Sequence, residues 1–332
     1  MRRLIVTLMA LAIAGLGAAV FAQQTPSWLT TPLKKPLNQV LIGITQSNVG
    51  TDSYETTYQK AFEAYAKQLG VKTIVLDAHG DPAQQVNQIQ DLMTRHVDVM
   101  IVWPTNAKAA CPPVIKAHNA GIPVVITNSK IDSSCVKDTV SFSGPDTLKE
   151  GEVAGQIMLQ GLPNGGNIVI IDGKPGYTTA IRRHNGFMDV VKGHSDIHVL
   201  DSQPADWNRA KAQSVMEDFI TKYGNKIDGV YAADDNMGAG ALNAIQAAKN
   251  AGRLDANKTI ILVGATNFAV GYDAMKKGLY YGSVVQSPVT DARNALKVAV
   301  QVAEGMSVPQ NDYIDTPPIT QANMSKYSRP VF

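Results

Sequence analysis

Short runs of β-branched, almost wholly apolar residues alternate with longer amphipathic runs over nearly the whole chain, and this limits the fold to one class. The first set places strands at Val40–Thr45, Lys72–Asp77, Val97–Val102 and Pro123–Thr127. Helices are predicted between them at Tyr54–Leu69, Ala83–Arg95 and Ala107–Ala120, with Gly70 and Gly121 as C-terminal stops. A shorter run, Thr139–Phe142, precedes Gly144-Pro145, after which the alternation restarts. The second set has strands at Asn167–Ile171, His198–Asp201, Gly229–Ala233, Thr259–Val263 and Tyr281–Val285. Its helices fall at Thr147–Gln160, Thr178–Val191, Trp207–Lys222, Asn236–Asn250, Ala269–Lys277 and Val289–Glu304. Apolar strands without polar alternation belong to parallel sheets covered on both faces. Two consecutive βαβ sets therefore predict an α/β protein of two doubly wound parallel-sheet lobes.

In such sheets ligands bind beyond the carboxyl ends of the strands. The segments to inspect are Gln46–Tyr54, Trp103-Pro104, Asn128-Ser129, Gly173–Arg183, Asp234-Asp235, Thr266-Asn267 and Gln286. Each is polar or aromatic and follows an apolar strand. One such segment means little, because strand ends are usually polar; the repetition across both sets carries the weight.

The amino end constrains location. Arg2 and Arg3 precede an apolar run from Leu4 to Phe21, which leaves through the small residues Val20 and Ala22. This pattern fits a cleaved secretory signal over residues 1–22, followed by a Pro-rich leader to residue 37. The alternative is a membrane anchor, since the run approaches the ~18–20 residues a span requires. With Arg2 and Arg3 removed, the 30 basic and 28 acidic residues balance. Nothing in that balance points to nucleic acid or an anionic membrane surface. The remaining length suffices for two domains with their own cores.

Export makes a disulfide between Cys111 and Cys135 the expected state, with two buried thiols as the alternative. Such a closed loop stabilises by about 3 kcal/mol in the chain-entropy picture. No third cysteine or histidine stands at ligand spacing from them. His194 and His198 are four apart, but Gly193 and the following strand keep them off a shared helix face. No metal or cofactor is expected. Gly238 and Gly240 lack the third glycine of a dinucleotide loop and instead suit close helix packing. Asp234-Asp235 could be read as a catalytic pair, but adjacent residues on one turn point apart. Asp234 is expected to accept from a ligand and Asp235 to cap the next helix. No nucleophile elbow, phosphate loop or zinc motif occurs, so no enzyme activity is expected.

The strand-end segments together resemble the sugar-binding receptors of ABC importers, of the ribose-binding type. The matching stretches, in order, include "IGITQSNVGTDSYETTYQKAFEAYAKQLG", "VWPTNAKAA", "AGIPVVITNS", "GKPGYTTAIRRHNGF", "SQPADWNRAKAQSVMEDFI", "GVYAADDNMGAGALNAIQAA", "LVGATNF" and "GSVVQSP". The resemblance spans about Gln39 to Asp315. It implies two lobes joined by a hinge that the chain crosses three times, near Ser143, Gln286 and Thr316. The lobes would then be 38–143 plus 287–316, and 144–286 plus 317–332. It also implies closure around a sugar or polyol, and delivery by a periplasmic monomer to an ABC permease. A chemoreceptor or kinase, including one for autoinducer-2-like furanosyl ligands, is the alternative reader of the closed form. A secreted sugar hydrolase or isomerase and a repressor's ligand domain are further readings; the export signal and missing DNA-binding helices oppose the latter.

Carried over position by position, the resemblance assigns ligand contacts to Asp52, Tyr54, Trp103, Asn128, Ser129, Arg183, Trp207, Asp234, Thr266 and Gln286. These types suit a polyhydroxy guest. Carboxylates accept strongly, arginine donates in a fixed fork, and aromatic faces pack on C–H surfaces. Asn128 and Ser129 stand where the ribose type has an acid and a base, and Thr266 where it has an acid. The loss of these charges makes ribose itself doubtful and favours another pentose or hexose, a deoxysugar or a linear polyol.

Overall fold

The computed structural model describes residues 26–29, 32–50 and 53–332. The predicted signal and the candidate ligand residue Asp52 lie outside these residues. Two units are distinguished, Met1–Pro32 and Leu33–Phe332. In the first, the described residues form a turn in which Leu29 N–H donates to the Pro26 carbonyl at 2.9 Å. All that follows concerns the second.

Its first sheet contains β1 (Leu41–Gln46), β2 (Lys72–Asp77), β3 (Val99–Val102), β4 (Val124–Thr127), β5 (Ser141–Pro145) and β11 (Asn311–Ile314), in the order β11-β5-β4-β3-β1-β2, all parallel. The helices α1 (Ser53–Leu69), α2 (Pro82–Thr94), α3 (Cys111–Asn119) and α9 (Pro288–Ala303) cover it. The second sheet contains β6 (Gly166–Asp172), β7 (Ile197–Pro204), β8 (Gly229–Ala232), β9 (Ile261–Val263), β10 (Gly282–Val284) and β12 (Pro318–Thr320), in the order β12-β10-β9-β8-β6-β7. Only β12 runs antiparallel to its neighbour, β10. Helices α4 (Thr147–Gly161), α5 (Thr178–Val191), α6 (Arg209–Tyr223), α7 (Asp235–Asn250) and α8 (Ala269–Lys276) pack around it. Among the described residues the chain passes between the sheets after β5, after β10 and after β11.

Local chemistry explains the boundaries. Asp81 caps α2 by accepting from Ala83 N–H at 2.8 Å, and Pro82 occupies the first helical position. Ser287 and Pro288 repeat the device at α9. Central strands β3 and β8 are buried at every position, as a doubly covered sheet requires. The first core gathers Leu92, Met100, Val114, Ile126 and Phe142. The second gathers Ile170, Phe187, Phe219, Tyr231 and Met275. The Cys111–Cys135 disulfide forms, with Cα atoms 5.7 Å apart, and fastens α3 to the loop after β4. Of the two glycines expected to permit helix packing, Gly240 does so, while Gly238 makes room for the Tyr280 side chain instead. A Cβ on Gly240 would stand 2.2 Å from the Arg209 carbonyl oxygen of α6.

One expectation is corrected. The cap of α7 is Asp234, whose Oδ1 accepts from Met237 N–H at 2.6 Å. Asp235 is instead fully buried beneath the turn, accepting from Phe268 N–H (2.8 Å), Ser283 Oγ (2.8 Å) and Tyr280 OH (3.3 Å). Burial pushes its carboxyl up to about 8. The chain turns one residue earlier than the apolar pattern suggests, so the first acid meets the free N–H groups and the second points inward. Likewise α6 begins at Arg209 with Asn208 as its cap, leaving Trp207 in the turn before it.

Candidate functional site

A single pocket collects the carboxyl ends of both sheets. It is lined by Tyr54, Glu55, Trp103 and Asn128 from the first lobe, and by Tyr177, Thr179, Arg183, Trp207, Asp234, Thr266 and Phe268 from the second, with Gln286 in the connection after β10. The empty space among these side chains, including the part open to solvent, is about 450 Å³. Eight of the sequence-predicted positions thus stand together. Ser129 is buried beside Asn128 but is not part of the lining.

The backbone is bent unusually where it meets this pocket. Of the non-glycine residues with positive φ, Asn128 (58°), Asp206 (56°), Trp207 (61°), Thr266 (92°) and Asn267 (54°) all lie at or next to it. Such conformations cost of order 1–3 kcal/mol each and gather at ligand sites. For β-branched Thr266 the conformation is a true outlier. Trp207 is turned over the end of β6 by this bend. A Cβ at Gly173 would sit 2.1 Å from its ring, so only glycine admits the indole there.

The second lobe supplies fixed charge. Arg183, buried on α5, donates from Nε to Glu150 Oε2 (2.8 Å), from Nη1 to the Ala233 carbonyl (2.7 Å) and from Nη2 to Gln286 Oε1 (2.5 Å). Three of its five N–H groups are spent on partners among the described residues. Its guanidinium carbon lies 6.0 Å from the Trp207 ring centre. Burial is the largest single influence and works against this cation, but Glu150, Tyr231 and Asp234 together raise the group above its ordinary value. Burial raises the Glu150 carboxyl in turn, with Arg183 opposing.

The first lobe supplies rings, an amide and the Glu55 carboxylate. Tyr54 and Tyr58 meet Trp103 edge-on at 6.1 and 5.1 Å between centres. Tyr54 OH donates to Asp291 Oδ2 (3.0 Å) and accepts from Gln286 Nε2 (2.7 Å). Asn128 Nδ2 donates to the same Asp291 oxygen at 2.7 Å. Burial, then the Asp291 charge, drives the Tyr54 hydroxyl well above its ordinary value. Trp103 Nε1 and Thr179 Oγ1 are buried at the lining without a hydrogen-bond partner among the described residues.

Sequence reasoning missed Tyr177, Thr179 and Phe268 as lining residues, and Asp291 and Glu150 behind them; Glu55, its alternative to Tyr54 in the first loop, lines the pocket together with Tyr54. Tyr177 and Thr179 lay within the inspected Gly173–Arg183 segment, and Phe268 was one residue past Thr266-Asn267. Glu150 sits in an ordinary helical first turn, where acids are common for dipole reasons alone. Phe332 also reaches this region, edge-on to Tyr54 (5.9 Å) and Phe268 (5.5 Å). Among the described residues no group of three or more His, Cys, Asp or Glu side chains could hold a metal.

Two α/β lobes, three connections and one ring-walled pocket at the strand ends define a hinged solute receptor. The chain matches the periplasmic binding protein domain over residues 42–307 and belongs to that family, whose members bind solutes and are not enzymes. It is 31% identical over 283 residues to a xylitol-binding protein of Mycolicibacterium smegmatis, covering 85% of this chain and 78% of that one. It is 31% identical over 251 residues to the ribose import binding protein of Salmonella typhimurium, covering 75% and 80%. Among solved structures it resembles an ABC transporter solute-binding protein of Bacillus halodurans with bound myo-inositol. That match has a TM-score of 0.79 and 30% identity, covering 87% of this chain and 97% of that one. A Mycobacterium smegmatis solute-binding protein with bound glycerol matches with a TM-score of 0.78 and 29% identity, covering 87% and 98%.

Proposed function

We propose that this protein captures one small polyhydroxy compound, a polyol or a monosaccharide, by closing its two lobes, and delivers it to an ABC permease. The observation that carries this reading is the pair of orphan polar groups, Trp103 Nε1 and Thr179 Oγ1, set in a ring-lined pocket. A buried donor left unmade costs roughly 1–3 kcal/mol, so such a wall is complementary to a guest with many hydroxyls. Tyr54, Trp103, Asn128, Arg183, Trp207, Asp234, Thr266 and Gln286 are its contacts in this reading, with Asp52 added from the first loop. Ser129 supports Asn128 from behind. The guest contacts both walls only when they are close, which is how it selects the closed state.

The relatives named for xylitol and ribose, and the neighbours holding myo-inositol and glycerol, support this class of guest. In the same reading residues 1–22 are cleaved on export to the periplasm, the lobe boundaries fall at the three connections, and the receptor works as a monomer. Isothermal titration of the unfolded-and-refolded protein, freed of any co-purified guest, tests it. The panel is xylitol, ribitol, myo-inositol, D-ribose, D-xylose, D-allose and glycerol. Saturable binding of at least one member is expected; silence across the panel from a correctly refolded protein rejects the reading.

A further inference from the structure

One hydrogen-bonded path runs beneath the pocket from one lobe to the other. It starts at Glu150, passes through Arg183, Gln286 and Tyr54, and ends at Asp291, which also holds Asn128. Asp291 lies in the first turn of α9, is fully buried, and does not line the pocket. Its Oδ2 takes both bonds, and its Oδ1 has no partner among the described residues. No salt bridge holds it among them.

An ionised carboxylate can only accept. The Asn128 atom that faces it must therefore be the NH₂ group, and Asn128 Oδ1 is committed to the other side of the amide plane. By the same rule the Tyr54 hydroxyl hydrogen is spent on Asp291, and its oxygen accepts from Gln286. Tyr54 then offers a guest its ring and no donor. Protonation removes this constraint, because a carboxylic acid can donate to Asn128 Oδ1 and let the amide turn over.

Resting on the receptor reading above, we propose that Asp291 is a positioning residue that fixes the donor and acceptor directions of Tyr54 and Asn128, and so determines which hydroxyl pattern the first-lobe wall accepts. Burial pushes the Asp291 carboxyl up to about 7, so the constraint is released within the accessible pH range. The titratable groups that bear on it are Tyr54 and Tyr58 from α1 and Glu150 from α4. None of these supplies a positive charge, and Glu150 is already paired with Arg183.

Two measurements test this. In the ligand-free protein, the Asn128 side-chain amide is followed by nitrogen-15 NMR from pH 5.5 to 8.5, assigned by its loss in Asn128→Gln. Its signals should move with one midpoint near neutrality in the wild type and stay fixed in Asp291→Asn. A fixed signal in the wild type, or equal movement in the variant, overturns the proposal. Next, xylitol and myo-inositol are titrated into both proteins at pH 6 and 8.5. Wild-type affinity should fall as pH drops through 7. Asp291→Asn should bind about tenfold more weakly at pH 8.5, the loss of one charge-assisted bond, and show no pH dependence. A purely structural role would lower the melting temperature of Asp291→Asn and leave the pH profile of binding unchanged. If the wild type binds neither probe nor any other panel member, the receptor reading fails while the NMR result still decides the role of Asp291.

Discussion

The two walls of the pocket reach polar recognition by opposite routes. In the second lobe the Arg183 charge lines the pocket, and its partner Glu150 stands behind it in a buried salt bridge at 2.8 Å. In the first lobe Tyr54, Trp103 and Asn128 are neutral and a carboxylate stands behind them at Asp291, so that Glu55 is the one charged type in that wall among the described residues. A displayed charge grips any hydroxyl that can accept. A hidden charge grips nothing itself but orients the amide and phenol in front of it. The first arrangement supplies strength and the second supplies discrimination, and substitutions should affect the two walls differently.

The largest effect is expected at Arg183. Arg183→Met strands Glu150 in the interior, and breaking a buried pair from one side costs about 3–5 kcal/mol. Denaturant unfolding should show that loss, and binding of every panel member should disappear. The double variant Arg183→Met/Glu150→Leu should regain most of the stability without regaining binding. If it regains binding too, the second wall's charge is structural and the contrast drawn above is wrong.

Trp207→Ala comes next. The indole lines the pocket, lies under Arg183 and is seated on Gly173. An aromatic anchor of this kind contributes about 2 kcal/mol or more to binding, so calorimetry should show a loss of about thirtyfold. Gly173→Ala should reproduce part of the loss by displacing the ring, although the substituted residue carries no polar group.

A smaller effect separates the walls by pH. The folded-state pKa of Asp291 is raised to about 7, against roughly 3.9 for an unperturbed aspartate. Because the fold favours the protonated form, stability is greatest below about pH 4, declines as pH rises towards 7, and levels off above it. Asp291→Asn should lack that decline. Asp235, raised to about 8, adds a parallel decline in both proteins, so the difference between their melting curves from pH 4 to 8.5 is the quantity to read. Superimposable curves would mean that Asp291 stays ionised throughout.

Those expectations also show where the sequence was informative. Parallel strands buried on both faces announce themselves as apolar runs, and the ends of β2 and α5 fall where the pattern puts them. Residues immediately after such runs were readable as pocket candidates because topology alone sends them to one edge. The edge strands β11 and β12 left no signal. "NDYI" and "PIT" are short and lack an apolar run, as partly exposed edges permit. Asp291 was hidden for another reason. It lies five residues beyond Gln286 in a helical first turn, where an acid needs no explanation. Only tertiary packing shows that this helix end points at Tyr54 and Asn128. The cap falling on Asp234 in place of Asp235 had the same origin, since a shift of one residue in a turn changes direction without changing composition.

The smallest expected effect concerns the rim, where the walls touch. Phe332 N-terminal neighbours run out of β12 in the second lobe, and its carbonyl accepts from Ala269 N–H at 2.6 Å. Its ring nevertheless stands edge-on to Tyr54 of the first lobe as well as to Phe268 of the second. Tyr54 and Phe268 are themselves 6.4 Å apart. Any separation of the lobes would part Tyr54 from Phe268, so this three-ring contact ties the two walls together in the structure. Edge-to-face pairs contribute about 0.5–1.5 kcal/mol each. Phe332→Ala should therefore speed release of a bound polyol roughly two- to tenfold in stopped-flow fluorescence. The association rate should hardly change, because the contact forms after the guest has entered. A slower association with unaltered release would place Phe332 on the entry path instead, and the walls would then be held together by the guest without help from the rim.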